Sequence, residues 1–167
     1  MSELVSVLVI AGVVVAVIIS QVKGVTLTGR RMLVLPAILI GYGVVNLAAM
    51  HGVGPVDIAC IAVSATIGAV IGLGQGRAMH LESRGGVLWA RLPLRGLCWW
   101  AALIAARIGM LAVAAALGAK AAGSVDSVFL VLGINRLAQS AMIGLRASRA
   151  GLPLGGPAGR PAFPDGL

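Results

Sequence analysis

The chain has 167 residues, of which 59% are hydrophobic and 11% charged, with a mean hydropathy of +1.04. No soluble domain of this length needs so much apolar surface, so a water-soluble globular protein is excluded as a class. The formal net charge of +8 falls in clusters between apolar runs. It is therefore a topology signal, and nucleic acid is not an expected partner.

Each apolar run can cross a hydrocarbon core of about 30 Å with about 20 residues. Five such runs are read, at residues 4–22, 32–50, 56–73, 97–118 and 127–145. They are continuous and do not alternate with period two, so they are helices and not barrel strands. The expected fold is all-α, an integral membrane protein with five transmembrane helices over residues 1–150. Glu3 precedes the first span and the cations Lys23, Arg30 and Arg31 follow it, while Ser20-Gln21-Val22 is a poor cleavage site. That span reads as a retained anchor.

The second span carries Pro36, with Gly41 and Gly43 on either side of Tyr42. Such a place can kink a helix beside a cavity, or be a proline tolerated near a helix start. A tight link at residues 51–55 leads into the third span, where small residues recur every four positions: Cys60, Ser64, Gly68, Gly72 and Gly76. This stripe lets another backbone approach closely, either within the chain or across a homodimer. In the loop at residues 74–96, two short segments flank Arg84-Gly85-Gly86. They predict a hairpin at about 79–91 that leans on the membrane through Trp89, its arginines facing anionic headgroups. Trp99 and Trp100 open the fourth span as interfacial anchors. The tail at residues 151–167 is rich in Pro and Gly and is expected to be disordered. Short loops predict that helices consecutive in sequence are antiparallel neighbours in space.

Lys23, Arg30, Arg31, Arg77, Arg84, Arg91, Arg95, Arg146, Arg149 and Arg160 all fall on one side of this arrangement, against Lys120 on the other. Cations stay cytoplasmic, so the N-terminus is expected outside and the C-terminus inside, in a bacterial cytoplasmic (inner) membrane.

Two arginines, Arg107 and Arg136, fall inside spans with no acidic residue near them in sequence. Counted along the helices at ~1.5 Å per residue, both reach mid-depth, together with Tyr42, Ser64 and Thr66 and with Asn46 somewhat further out. Gln139 and Ser140 share a face with Arg136. Two guanidiniums without a carboxylate call for an anion: a carboxylate or phosphate, a lipid headgroup, or chloride. The alternatives are arginines that satisfy backbone carbonyls, or that bend outward to Asp57 and Asp126. Those two aspartates are expected to cap helix starts.

Several chemistries lack their parts. Cys60 and Cys98 lie near opposite membrane faces and form no Cys-x-x-Cys motif. His51 and His80 are on opposite faces and cannot clamp a haem between them. Neither a nucleophile elbow nor a phosphate loop is present, and no lysine lies in a span. No catalytic residue, metal site or cofactor is expected.

The first intervening loop reads Gln21-Val22-Lys23-Gly24, then Leu27, then Arg30-Arg31-Met32-Leu33-Val34-Leu35-Pro36, and the Gly-rich run enters Gln75-Gly76-Arg77. With the five short spans, this resembles the CcdC-like family of small bacterial membrane proteins over about residues 20–145. The family's name implies a link to cytochrome c maturation; the resemblance carries over no catalytic residue.

The reading that follows is binding or transport of an anionic or amphipathic small molecule at a mid-depth site. Arg107 and Arg136 would hold its negative group, and Tyr42, Asn46, Gln139 and Ser64 would supply hydrogen bonds. The partners are membrane lipids, that ligand, and a homodimer or larger membrane complex. The first alternative is a structural or biogenesis accessory subunit docking through the glycine stripe, and the second an intramembrane enzyme. Cysteines introduced at Gly52 and Gly123 are expected to react with an impermeant thiol reagent from outside the cell, and one at Gly85 is not. The reverse pattern would invert the orientation.

Overall fold

The computed structural model describes residues 25–26, 29–84 and 87–151, and in the N-terminal segment only Gly12, Val15, Ala16 and Ile19, all helical and exposed. The rest of the first expected span and the tail beyond residue 151 lie outside the described residues. In chain order the elements are β1 (Val25–Thr26), α1 (Gly29–Ala49), α2 (Pro55–Ala78), β2 (His80–Arg84), β3 (Val87–Arg91), a 3-10 turn (Leu94–Gly96), α3 (Leu97–Ala116) and α4 (Val125–Arg149). Among the described residues four helices are long and apolar enough to cross a membrane, which makes this a multi-pass membrane protein. Their exposed Leu, Ile and Val side chains are what lipid solvates.

The closely packed pairs are α2 with α4, α1 with α4, and α2 with α3. α1 does not pack closely on α2, nor α3 on α4, so the short loops do not decide the neighbours as the sequence suggested. Small residues decide them instead. A Cβ on Gly72 would stand 2.2 Å from the Asn135 carbonyl oxygen, one on Gly76 2.8 Å from that of Gln139, and one on Gly68 3.0 Å from the Val131 side chain. The glycine stripe of α2 is thus buried against α4 inside a single chain. Asn135 Nδ2 crosses the seam to donate to the Gly68 carbonyl at 2.9 Å. The α1–α4 crossing uses the same device, with Gly43 against Leu130 and Gly133 against Ile40.

α2 runs to Ala78, past residue 73 where its span was expected to end. Gly74 and Gly76 do not break it. They fit under the Trp99 ring and against α4, and packing outweighs an intrinsic penalty of about 1 kcal/mol per glycine.

α1 is one continuous helix through Pro36. Proline lacks an N–H, which leaves the Met32 carbonyl without its helical donor. Ser140 Oγ of α4 donates to that carbonyl at 3.0 Å. In lipid an unsatisfied carbonyl costs several kcal/mol, so a neighbouring hydroxyl is the natural remedy.

The expected hairpin is a three-stranded antiparallel sheet, in the order β1-β3-β2. Val25 pairs with Ala90 and Thr26 with Trp89. Two strands alone are marginal in water, and the third strand comes from the loop before α1. Leu88, Ala90 and Leu92 are almost fully buried and join Ile71, Met79, Trp100 and Ile143 in one core. The sheet therefore closes one end of the helix bundle through the face opposite Trp89.

Gly72→Ala is expected to destabilise the purified protein by about 1–3 kcal/mol or more, by forcing α2 from α4. Gly109→Ala, where nothing lies within 4 Å of the added Cβ, is expected to be neutral or stabilising. Equal melting temperatures for the two variants would show that the seam does not hold the bundle.

Candidate functional site

The loop joining α3 to α4 is held by two oppositely charged side chains. The Asp57 carboxylate is buried and accepts from the Gly54 N–H at 3.1 Å at the start of its own helix. Its other oxygen accepts from the N–H groups of Ala121 at 2.8 Å and Ala122 at 3.1 Å. From the other side Arg107 Nη2 donates to the carbonyls of Ala122 at 3.3 Å and Ser124 at 3.4 Å, and to Ser127 Oγ at 2.6 Å. The Ser127 hydroxyl lies 2.7 Å from both of those carbonyl oxygens. Ala122 thus sits between carboxylate and guanidinium, giving its N–H to one and its C=O to the other. Arg107 satisfies backbone here, as one alternative reading of the sequence had it. All three bonds use Nη2, and Nε is buried without a partner.

Arg136 is placed differently. It is 6% exposed, donates from Nη1 to Gln139 Oε1, and has its guanidinium carbon 4.6 Å from the centre of a Trp100 ring. Its Nε and Nη2 have no hydrogen-bond partner. Trp100 and Arg107 are seven residues apart on one helix, or about 10 Å. The Arg107 head extends from there toward the α3–α4 loop, away from Trp100. The two guanidiniums therefore do not share a level, and no small anion can touch both. The count along the helices placed them together because it located Cα atoms and not the ends of long side chains.

The other expected site residues are dispersed. Gln139 stays with Arg136 and also meets Met79 Sδ at 3.6 Å. Ser64 lines a narrow space beside Arg107 with Gly68 and Met110, and its hydroxyl donates to the Cys60 carbonyl at 2.8 Å. Tyr42 is half exposed on α1 and meets Phe129 edge to face, ring centres 5.2 Å apart. Asn46 donates to the Tyr42 carbonyl at 2.8 Å. Neither Tyr42 nor Asn46 reaches an arginine. Ser140 is committed to Met32.

Sequence reasoning passed over four polar groups. Gln75, placed in a loop, is fully buried with neither amide atom partnered. Asn135 bridges the helix seam. Ser127 anchors the loop. Arg146, counted as a topology signal, donates from Nη1 to the carbonyls of Gly76, Arg77 and Met79 at 2.8–2.9 Å, where a cation suits the negative end of α2. Asn135 sits next to Arg136 in sequence, and Gln75 falls three residues after Gly72; both spacings carried the signal.

Because α3 stands off α4, a cleft of about 170 Å³ remains between them. Trp100, Leu103, Ile104 and Ile108 line it from α3, and Val128, Val131 and Leu132 from α4, with Arg107 as the charged residue. Among the described residues no group of three His, Cys, Asp or Glu could hold a metal ion, and Cys60 and Cys98 are free thiols.

Comparison with protein-family models, with characterised proteins and with solved structures gives no match. None of these comparisons supports or refutes the resemblance read above from the first loop, the Gly-rich run and the spans.

Arg107→Gln is expected to destabilise the protein by about 2–3 kcal/mol, because carbonyls at the loop lose a charged donor. Arg136→Leu is expected to leave thermal stability unchanged or raised, because it removes a buried charge with two unspent donors. Melting of the two variants in detergent checks the ranking; the reverse order would exchange the two roles.

Proposed function

We propose that this chain binds an anionic amphipathic molecule in the bacterial cytoplasmic membrane, with the apolar part in the α3–α4 cleft and the negative group at Arg107. One observation carries the reading: two helices of the bundle stand apart and leave a lipid-accessible apolar cleft that ends on a guanidinium. A ligand that is all apolar has no use for that charge, and a wholly polar anion has no use for Leu103, Ile108 and Leu132. An amphipathic molecule meets both. The Nη2 bonds of Arg107 to the loop fix its side chain in place, so the head meets a preorganised donor. Arg136 does not line the cleft and contributes a positive field and not a contact. Lateral entry from the lipid would let the site load without a water-filled passage.

A fatty acid brominated on its chain is the probe. In a Trp89→Phe, Trp99→Phe background it is expected to quench the remaining Trp100 fluorescence saturably, and at lower concentration than the alcohol of the same chain. Val128→Phe, which fills the cleft, is expected to abolish the saturable part. Equal quenching by acid and alcohol, unaffected by Val128→Phe, would sink the proposal.

A further inference from the structure

We propose a second lipid site, at the sheet end of the molecule: a groove that takes the phosphate headgroup of an anionic phospholipid from the adjoining leaflet. Strand alternation builds it. Leu88, Ala90 and Leu92 point into the bundle, so the register pairs His80 with Arg91 and Glu82 with Trp89 on the opposite face. The chain then turns through Pro93 into the 3-10 turn, which brings Leu94 and Arg95 alongside that face. The resulting groove measures about 740 Å³ and is lined by His80, Glu82, Trp89, Arg91, Leu94 and Arg95 among others.

Three features select the occupant. The groove lies at membrane level, because the candidate span that contains α3 begins at Leu94, so its walls stand where headgroups stand. Its charge favours an anion. His80 and Glu82 are engaged with each other at 3.3 Å, whereas the exposed Arg91 and Arg95 enter no salt bridge with a described residue. Its floor is amphipathic. Leu94 is 74% exposed, and a soluble anion would leave that side chain uncovered. A phospholipid would place phosphate on the guanidiniums, glycerol against Trp89, and an acyl chain along Leu94 and the outer flank of α3. This site is independent of the cleft, whose charged end lies at the other side of the bundle.

The experiment is lipid retention by native mass spectrometry, with melting as a second readout, on the full chain in neutral detergent. The probes are phosphatidylglycerol, phosphatidylcholine with the same chains, and glycerol phosphate. Phosphatidylglycerol is expected to be retained and to raise the melting temperature more than phosphatidylcholine does, and glycerol phosphate is expected to do neither. The double variant Arg91→Gln, Arg95→Gln is expected to weaken phosphatidylglycerol retention about thirtyfold, at roughly fivefold per basic residue. Leu94→Ser is expected to weaken both lipids. Arg77→Gln, an exposed arginine outside the groove, is expected to change nothing. Undiminished retention by the double variant would overturn the proposal, as would equal protection by glycerol phosphate, which would make this a site for a free ion. Arg91 and Arg95 are exposed, so the double variant is expected to melt with the parent protein in lipid-free detergent; a marked loss there would assign them a structural role instead and overturn the proposal.

Discussion

Where α2 meets α4, the carbonyl group of Asn135 occupies the place that a side chain on Gly72 would take. Lipid offers helices no hydrophobic reason to associate, so close backbone contact has to supply the attraction through dispersion and cross-helix hydrogen bonds. Here the contact is continuous from Gly68 to Gly76 and carries the Asn135 bond to Gly68. Much of the remaining arrangement follows from that seam. α4 is fixed beside α2, which leaves its opposite flank for α1, with Gly43 and Gly133 at the crossing. α3 packs on a neighbouring flank of α2, beside Ser64 and Ile67, and does not lie flush against α4.

Polar side chains in this bundle mainly serve backbone that helices alone cannot satisfy. Ser140 replaces the donor missing at Pro36, Arg146 closes the end of α2, and Asp57 with Arg107 holds both sides of the peptide at Ala122. This is the economy required where water is absent: an unpaired N–H or C=O in hydrocarbon costs several kcal/mol, whereas one long side chain reaches several such groups. It also accounts for arginine in these places. A lysine has a single nitrogen, while a guanidinium spreads its donors over a planar fork.

Arg136 departs from that pattern. Burial against Trp100 and one bond to Gln139 leave part of its guanidinium unsatisfied, close along the chain to Asn135, whose Oδ1 is also unpartnered. The same Trp100 also lines the α3–α4 cleft. The cleft thus lies beside a buried and only partly compensated charge, a combination from which binding sites in membrane proteins are commonly built. Arg91 and Arg95 beside the exposed Leu94 set charge next to apolar surface again, at the sheet end.

The membrane class, four of the helices and the small-residue stripe were legible in the sequence, because each depends on a local quantity: apolar run length, or spacing along one helix. The three-stranded sheet was half legible. Its β2–β3 hairpin follows from adjacent residues, but β1 comes from a segment about sixty residues away that no local pattern ties to Trp89 and Ala90. Tyr42, Asn46, Ser64, Gln139 and the two arginines could be sorted by depth, yet depth alone does not say which way a helix faces or how far a side chain of six or more bonds extends. Those were tertiary decisions. Helix rotation, set by glycine contacts, put Tyr42 against Phe129 and away from the arginines, and the need of the α3–α4 loop for donors drew Arg107 toward it while Arg136 stayed on Trp100. The sequence by itself determined that this chain enters a membrane with charge buried in it; only the packed structure decided which buried charges serve the backbone and which keep donors to spare.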